Sequence, residues 1–144
     1  MIEEGLLKEK AKHYLACYNG GCRRRKHCLH WLVGPHVPED VRVHSCVNVM
    51  NAEVRSGHCP FYKSDTPVMM MRGFTHLYDD MPRRTATAIR EELDGYYNHT
   101  TYYRYRNGIL PVKPEMQKHI EAVCRKHGWK EAPVYDRSQE EYDW

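Results

Sequence analysis

Hydrophobic positions recur at different intervals along this chain, and the difference divides it near residue 66. In the second half they return every three or four residues. Ala86, Ile89, Leu93 and Tyr96 form one such stripe, with a start signal at Asp80-Met81-Pro82 and Gly95 near its end. Pro114 opens another, with Met116, Ile120, Val123 and Cys124 on one face and Gly128 closing it. Between them Asn98 is a good N-cap, because its side chain can accept from the free amides of a first turn. The nine residues after it read as a short helix that Gly108 ends. Tyr102 and Tyr105 fall on one side of that helix, with Tyr97 ahead of them. His99, Thr100, Tyr103 and Arg104 fall on the other. Val68 to Asp79 carries Met69, Met70, Met71, Phe74, Leu77 and Tyr78 and reads as adaptable core covering the joint between the halves.

The first half is less regular. Glu3 to Leu15 suits a short helix with Leu6, Leu7 and Leu15 as apolar points. Leu29 to Val33 gives a helical turn or two before Gly34-Pro35 and Pro38 interrupt. Val41-Arg42-Val43 and Val47-Asn48-Val49 alternate as paired short strands do. The expected fold is mainly α. A Cys-rich half of little regular structure (residues 1–66) packs on a helical half (67–144) with a helix-turn-helix-like unit, as two domains or one continuous one.

Cysteine spacing adds chemistry to the irregular half. Cys17-x4-Cys22-x5-Cys28 has Gly20-Gly21 in its first interval, and two glycines let a short loop fold tightly enough for sulfurs to converge. No segment has the apolar length of a membrane span, and Met1-Ile2-Glu3-Glu4 lacks the basic start of a signal peptide. A reducing cytoplasm is therefore expected, where clustered cysteines serve as metal ligands or small core residues more often than as disulfides. Zinc takes four ligands in a tetrahedron. The fourth is Cys59 or Cys46, with His27, His44 and His58 also within the segment. Four thiolates equally suit an iron–sulfur cluster. Cys124 lies on an apolar helical stripe and reads as core.

Charge changes the picture of the other half. A net charge of +3, with 41% hydrophobic and 28% charged residues, describes a globular protein that is only mildly basic. Nucleic-acid binding would need local concentration of that charge. Arg23, Arg24, Arg25 and Lys26 form one cluster, Arg83, Arg84 and Arg90 a second, and Arg104 with Arg106 a third, whereas the C-terminal stretch is acidic. Eleven tyrosines against two phenylalanines imply many half-buried rings with wet hydroxyls. On the short helix, Thr100 and His99 have the reach for base edges in a major groove. Arg104 suits a directional base contact beside Tyr103, while Arg106, Arg83 and Arg84 suit phosphates. The plainer alternative is a surface helix with solvated arginines and core tyrosines.

The chain as a whole resembles a family of short uncharacterised bacterial proteins that carry a domain of unknown function. The residues that carry the resemblance are Cys17-x4-Cys22-x5-Cys28-Leu29, Cys59-Pro60-Phe61, Arg72-Gly73-Phe74, Met81-Pro82, Thr101-Tyr102-Tyr103-Arg104 with Gly108, and Tyr142-Asp143-Trp144. The resemblance implies an arrangement and no reaction, and it puts Cys59 ahead of Cys46 as the fourth ligand. Residues 98–128 are also similar to the phage-repressor type of helix-turn-helix, which implies Tyr102 and Tyr105 as anchors and a groove-facing His99, Thr100, Tyr103 and Arg104.

Catalysis finds little support. There is no Gly-rich phosphate loop, HExxH pair or Ser elbow, and a four-thiolate zinc has no open position for substrate. The expected function is a DNA-binding regulator or accessory factor with a structural zinc. The alternatives are a protein-interaction module that touches no DNA and an iron–sulfur redox or sensor protein.

Overall fold

The computed structural model describes residues 1–144. Six α-helices are α1 (Glu4–Lys10), α2 (Leu29–Val33), α3 (Ala52–Arg55), α4 (Arg83–Tyr97), α5 (His99–Arg106) and α6 (Pro114–Lys126). Two strands are β1 (Val68–Arg72) and β2 (Arg137–Glu141). The chain divides into two compact units, one of Met1–Pro67 with Tyr142–Trp144 and one of Val68–Glu141.

The mainly α expectation is overturned on two counts. First, Val68–Arg72 is a strand, paired antiparallel with Arg137–Glu141 in the register Val68↔Glu141 to Arg72↔Arg137. Burial alternates along it, with Met70 at 2% exposure and Met69 at 47%. Its partner is wholly polar and distant in sequence, so no local apolar period announces the pairing. Met71 also exchanges backbone bonds with Val112 on the other side, at 3.1 and 2.7 Å. Second, the N-terminal unit is well folded.

Ile2, Leu7, Ala11, Ala16, Leu29 and Val33 form that unit's core, with Tyr14, Tyr142 and Trp144 packed against it. Its helices are too short to satisfy the backbone alone, so loops bond to loops. Val47 N–H donates to Ala16 O (2.8 Å), Cys17 N–H to His30 O (2.8 Å), and Leu29 N–H to Lys63 O (2.8 Å). The alternating segments at 41–43 and 47–49 form no strand, and Cys46 makes only an isolated bridge to Ala16.

The second unit has a larger core of Phe74, Leu77, Met81, Ile89, Leu93, Tyr102, Val112, Met116, Ile120, Val123 and Cys124. Helix α6 buries Met116, Ile120, Val123 and Cys124 on one face, as the 3.6-residue period requires. Helix α4 starts at Arg83 behind Pro82, without a carboxylate cap. Asn98 alone links α4 to α5, at φ +60°, and its side chain accepts from Thr101 N–H at 3.0 Å. A helix-turn-helix uses a turn of three or four residues, so that part of the expectation fails as well. Tyr102 is fully buried edge-on against Phe74, and its hydroxyl lies 2.8 Å from that of Tyr78. Gly73, at φ +72°, ends β1 where any Cβ would run into the Asp136 carboxylate. That carboxylate accepts from the Thr75 hydroxyl at 2.8 Å.

Two outcomes are expected. Tyr102→Ala should cost about 3–5 kcal/mol in a urea titration, and Tyr102→Phe only about 1 kcal/mol for the lost hydroxyl pair. Tyr103→Ala, at a half-buried position, should cost clearly less than Tyr102→Ala, and equal losses would mean that the two faces of α5 are wrongly assigned.

The second concerns alkali. Burial pushes the Cys124 thiol from 9.0 up to about 11 and Tyr97 from 10.0 to about 12, and it raises Tyr78 and Tyr135 as well. Each group is neutral when protonated, and the unfolded chain gives up these protons first. Stability should therefore be full below pH 9 and fall as pH rises through the folded values. Urea midpoints that stay flat from pH 8 to about 11 would contradict this.

Candidate functional site

The four cysteines of the sequence pattern converge. Cys17, Cys22, Cys28 and Cys59 all line one cavity of about 20 Å³ in the first unit, together with His30 and Trp31. A void of that size has room for one ion or one water. All six cysteines of the chain are free thiols.

Local hydrogen bonding explains the convergence. Cys17 follows α1 and is held by its amide on the His30 carbonyl. The Asn19 side chain accepts from Gly21 N–H at 3.2 Å, and Cys22 N–H donates to the Asn19 carbonyl at 3.1 Å. This Asx-type turn, opened by Gly20-Gly21, brings Cys22 back toward Cys17. A 3₁₀ turn at Arg25–His27 then delivers Cys28 to the start of α2. Leu29 N–H on the Lys63 carbonyl and a Cys28–Ser64 bridge draw in the loop that carries Cys59, which itself turns through Tyr62 N–H to Cys59 O at 3.2 Å.

The chemistry of the set follows from this crowding. The Cys17 thiol is pushed above its ordinary value chiefly by burial, and the neighbouring Cys28, Cys59 and Cys22 add to the rise, while the Asn19 amide opposes it. Thiols that oppose one another's ionisation are the donor set that a divalent cation reconciles. No three His, Cys, Asp or Glu side chains stand in an arrangement that could hold a metal ion as the side chains are placed. Cys46 is exposed and is not part of this wall, and Cys124 is buried in the second unit.

His30 escaped the sequence reading. It is buried, its Nδ1 lies 2.6 Å from the Leu15 carbonyl, and its ring stacks on Tyr14 at 4.5 Å. Burial depresses its pKa, so the ring is neutral at pH 7. These contacts fix it as a wall of the cavity. Its position two residues after Cys28 was the available signal. Arg25 covers the outer side of Trp31, with the guanidinium 5.6 Å from the ring.

The residues read as DNA contacts lie in the second unit. Thr100 and Arg104 are exposed on α5. His99 is exposed too, but its Nδ1 lies 3.1 Å from Asp94 Oδ2 and its ring leans on Tyr103. Tyr103 is half-buried, with the Arg106 guanidinium 5.8 Å from its ring centre. Arg83 and Arg84 line an open groove with Glu91 at the start of α4. Helical rise puts them roughly 20 Å along α4 from Asn98, so they form a separate patch.

No helix is long and apolar enough to cross a membrane. No curated protein and no solved structure matches the chain. A family model matches the chain along residues 1–144, and the chain belongs to that family, the family of unknown function DUF6078.

Proposed function

We propose that this is a metal-stabilised binding protein in which Cys17, Cys22, Cys28 and Cys59 hold one structural zinc ion. The observation that carries the reading is the lining of a single ion-sized cavity by all four thiols. A zinc bound there would act as a cross-link between the loops at 17–28 and 59–64, and its binding free energy would count as folding free energy. The reading places the protein in the reducing cytoplasm, where such thiols stay available to metal. An iron–sulfur cluster uses the same donors, and its visible absorption separates the two.

Metal content and absorbance of anaerobically purified protein test this. One zinc per chain and no visible band are expected. Cys22→Ser and Cys28→Ser should lose the ion and unfold at lower urea, whereas Cys124→Ser should keep it. Wild-type protein without stoichiometric metal would end the proposal.

For the second unit we infer contact with double-stranded DNA through the exposed side of α5. Thr100 and Arg104 support it, since both are exposed and neither is engaged by a carboxylate. A protein partner is the second reading, favoured by Asp94 and Glu91, which sit among the basic groups and would repel phosphate. On the DNA reading, Arg104→Ala should cost about 1–3 kcal/mol and relax preference at one base position. Arg106→Ala, or loss of Arg83 and Arg84, should weaken binding to all sequences and lower the salt slope by about one per lost contact. No duplex binding at low salt, even at about 10⁻⁴ M duplex, would put the protein partner first.

A further inference from the structure

Beside the four-cysteine cavity runs a second, open groove of about 500 Å³, whose wall includes Asn19, Arg23, Arg24 and Arg55. Its volume is that of a small-molecule site and far exceeds one ion. Three guanidinium groups line it and no carboxylate does. Like charges held together without counter-charge are costly, and an anion in the groove relieves that cost.

Arg24 is the most constrained of the three. Its guanidinium lies 4.0 Å from the centre of the Tyr62 ring, and its Nε is buried without an acceptor anywhere in the protein. Stacking on Tyr62 holds this guanidinium in one place at the groove wall, which suits a forked contact to an oxyanion. Arg23 and Arg55 are exposed and converge from different loops, one beside Cys22 and the other at the end of α3. The Asn19 carbonyl oxygen is already occupied by Gly21 N–H, which leaves the amide nitrogen as a donor. Asn19 and the three arginines all offer N–H donors, and forked guanidinium donors match phosphate oxygens in pairs.

We propose that this groove binds a small phosphorylated ligand, with Arg24 as the fixed contact and Arg23 and Arg55 closing on the phosphate from either side. The volume left beyond one phosphate suits a phosphate monoester of nucleotide size. Cys22 and Cys59 line both this groove and the cysteine cavity, so ligand and thiol site share a wall. The inference needs no particular occupant of the cysteine cavity. The rival explanation is that the arginines only balance the negative charge of a metal–thiolate centre.

Binding of inorganic phosphate and of adenosine 5′-monophosphate to the purified full chain, followed by calorimetry and by thermal shift, tests it. Both probes should bind and raise the unfolding temperature, the nucleotide more tightly if the groove takes a monoester and equally if phosphate alone is read. Arg55→Ala and Arg24→Lys should each weaken binding about tenfold or more, the loss of one charge-assisted contact. Arg24→Lys keeps a cation over Tyr62, so a folding defect is not expected. Arg83→Ala, in the other unit, should bind as wild type. Metal content is measured on the same samples, which separates this outcome from that of the zinc proposal. The inference is overturned if neither probe binds at millimolar concentration. It is equally overturned if Arg83→Ala weakens binding as much as Arg55→Ala, or if the groove variants lose metal while phosphate binding is unchanged.

Discussion

Backbone hydrogen bonds between distant segments hold the first unit together, among them Val47 to Ala16, Cys17 to His30, Leu29 to Lys63 and Asp65 to His27. A helix satisfies its own amides, but α1, α2 and α3 span only seven, five and four residues. The remaining backbone must find partners across loops or lose the energy of buried, unpaired groups. Meeting that requirement is what sets the cysteine-bearing loops side by side. The small core of Leu7, Leu29 and Val33 then packs beneath an arrangement that the main chain has already defined.

The second unit rests on a different kind of order. Its helices bury continuous stripes, and its central tyrosine is neither wet nor half-exposed as the composition led one to expect. Tyr102 is wholly inside, and the Tyr78 hydroxyl gives its own a partner. The polar ends of two large rings satisfy each other, so the core keeps aromatic bulk without stranding a hydroxyl. Tyr135 contrasts with this pair, since its buried hydroxyl has no partner.

What could be read from the sequence was whatever is local. The α6 stripe, the burial of Tyr102 and the Asn98 cap lie within a few residues of the groups they depend on, whereas Tyr103, read as facing outward, packs against the core as Tyr105 does. The interval from Cys17 to Cys28 is local as well, and its glycines announce a tight loop. Strand β1 was missed because three methionines in a row carry no period of their own, and its partner Arg137–Glu141 looks like a solvated tail. His30 and Arg55 were missed for the same reason. Each owes its place in a wall to loops brought in from far along the chain, and only His30, two residues after Cys28, had a local hint of it.

The β1–β2 ladder has one more consequence. Val68 and Glu141 are register partners, so the second unit leaves the first and returns to it at a single closed doorway. It is therefore an insertion in topological terms. During synthesis its helices can pack on one another before the chain is finished, because α4 meets α5 and α6 within the inserted stretch. Tyr142 and Trp144 reach the ribosome exit only after all of it, yet they pack on the core begun by Ile2 and Leu7. The first unit therefore has all of its residues only after the whole inserted stretch has been made.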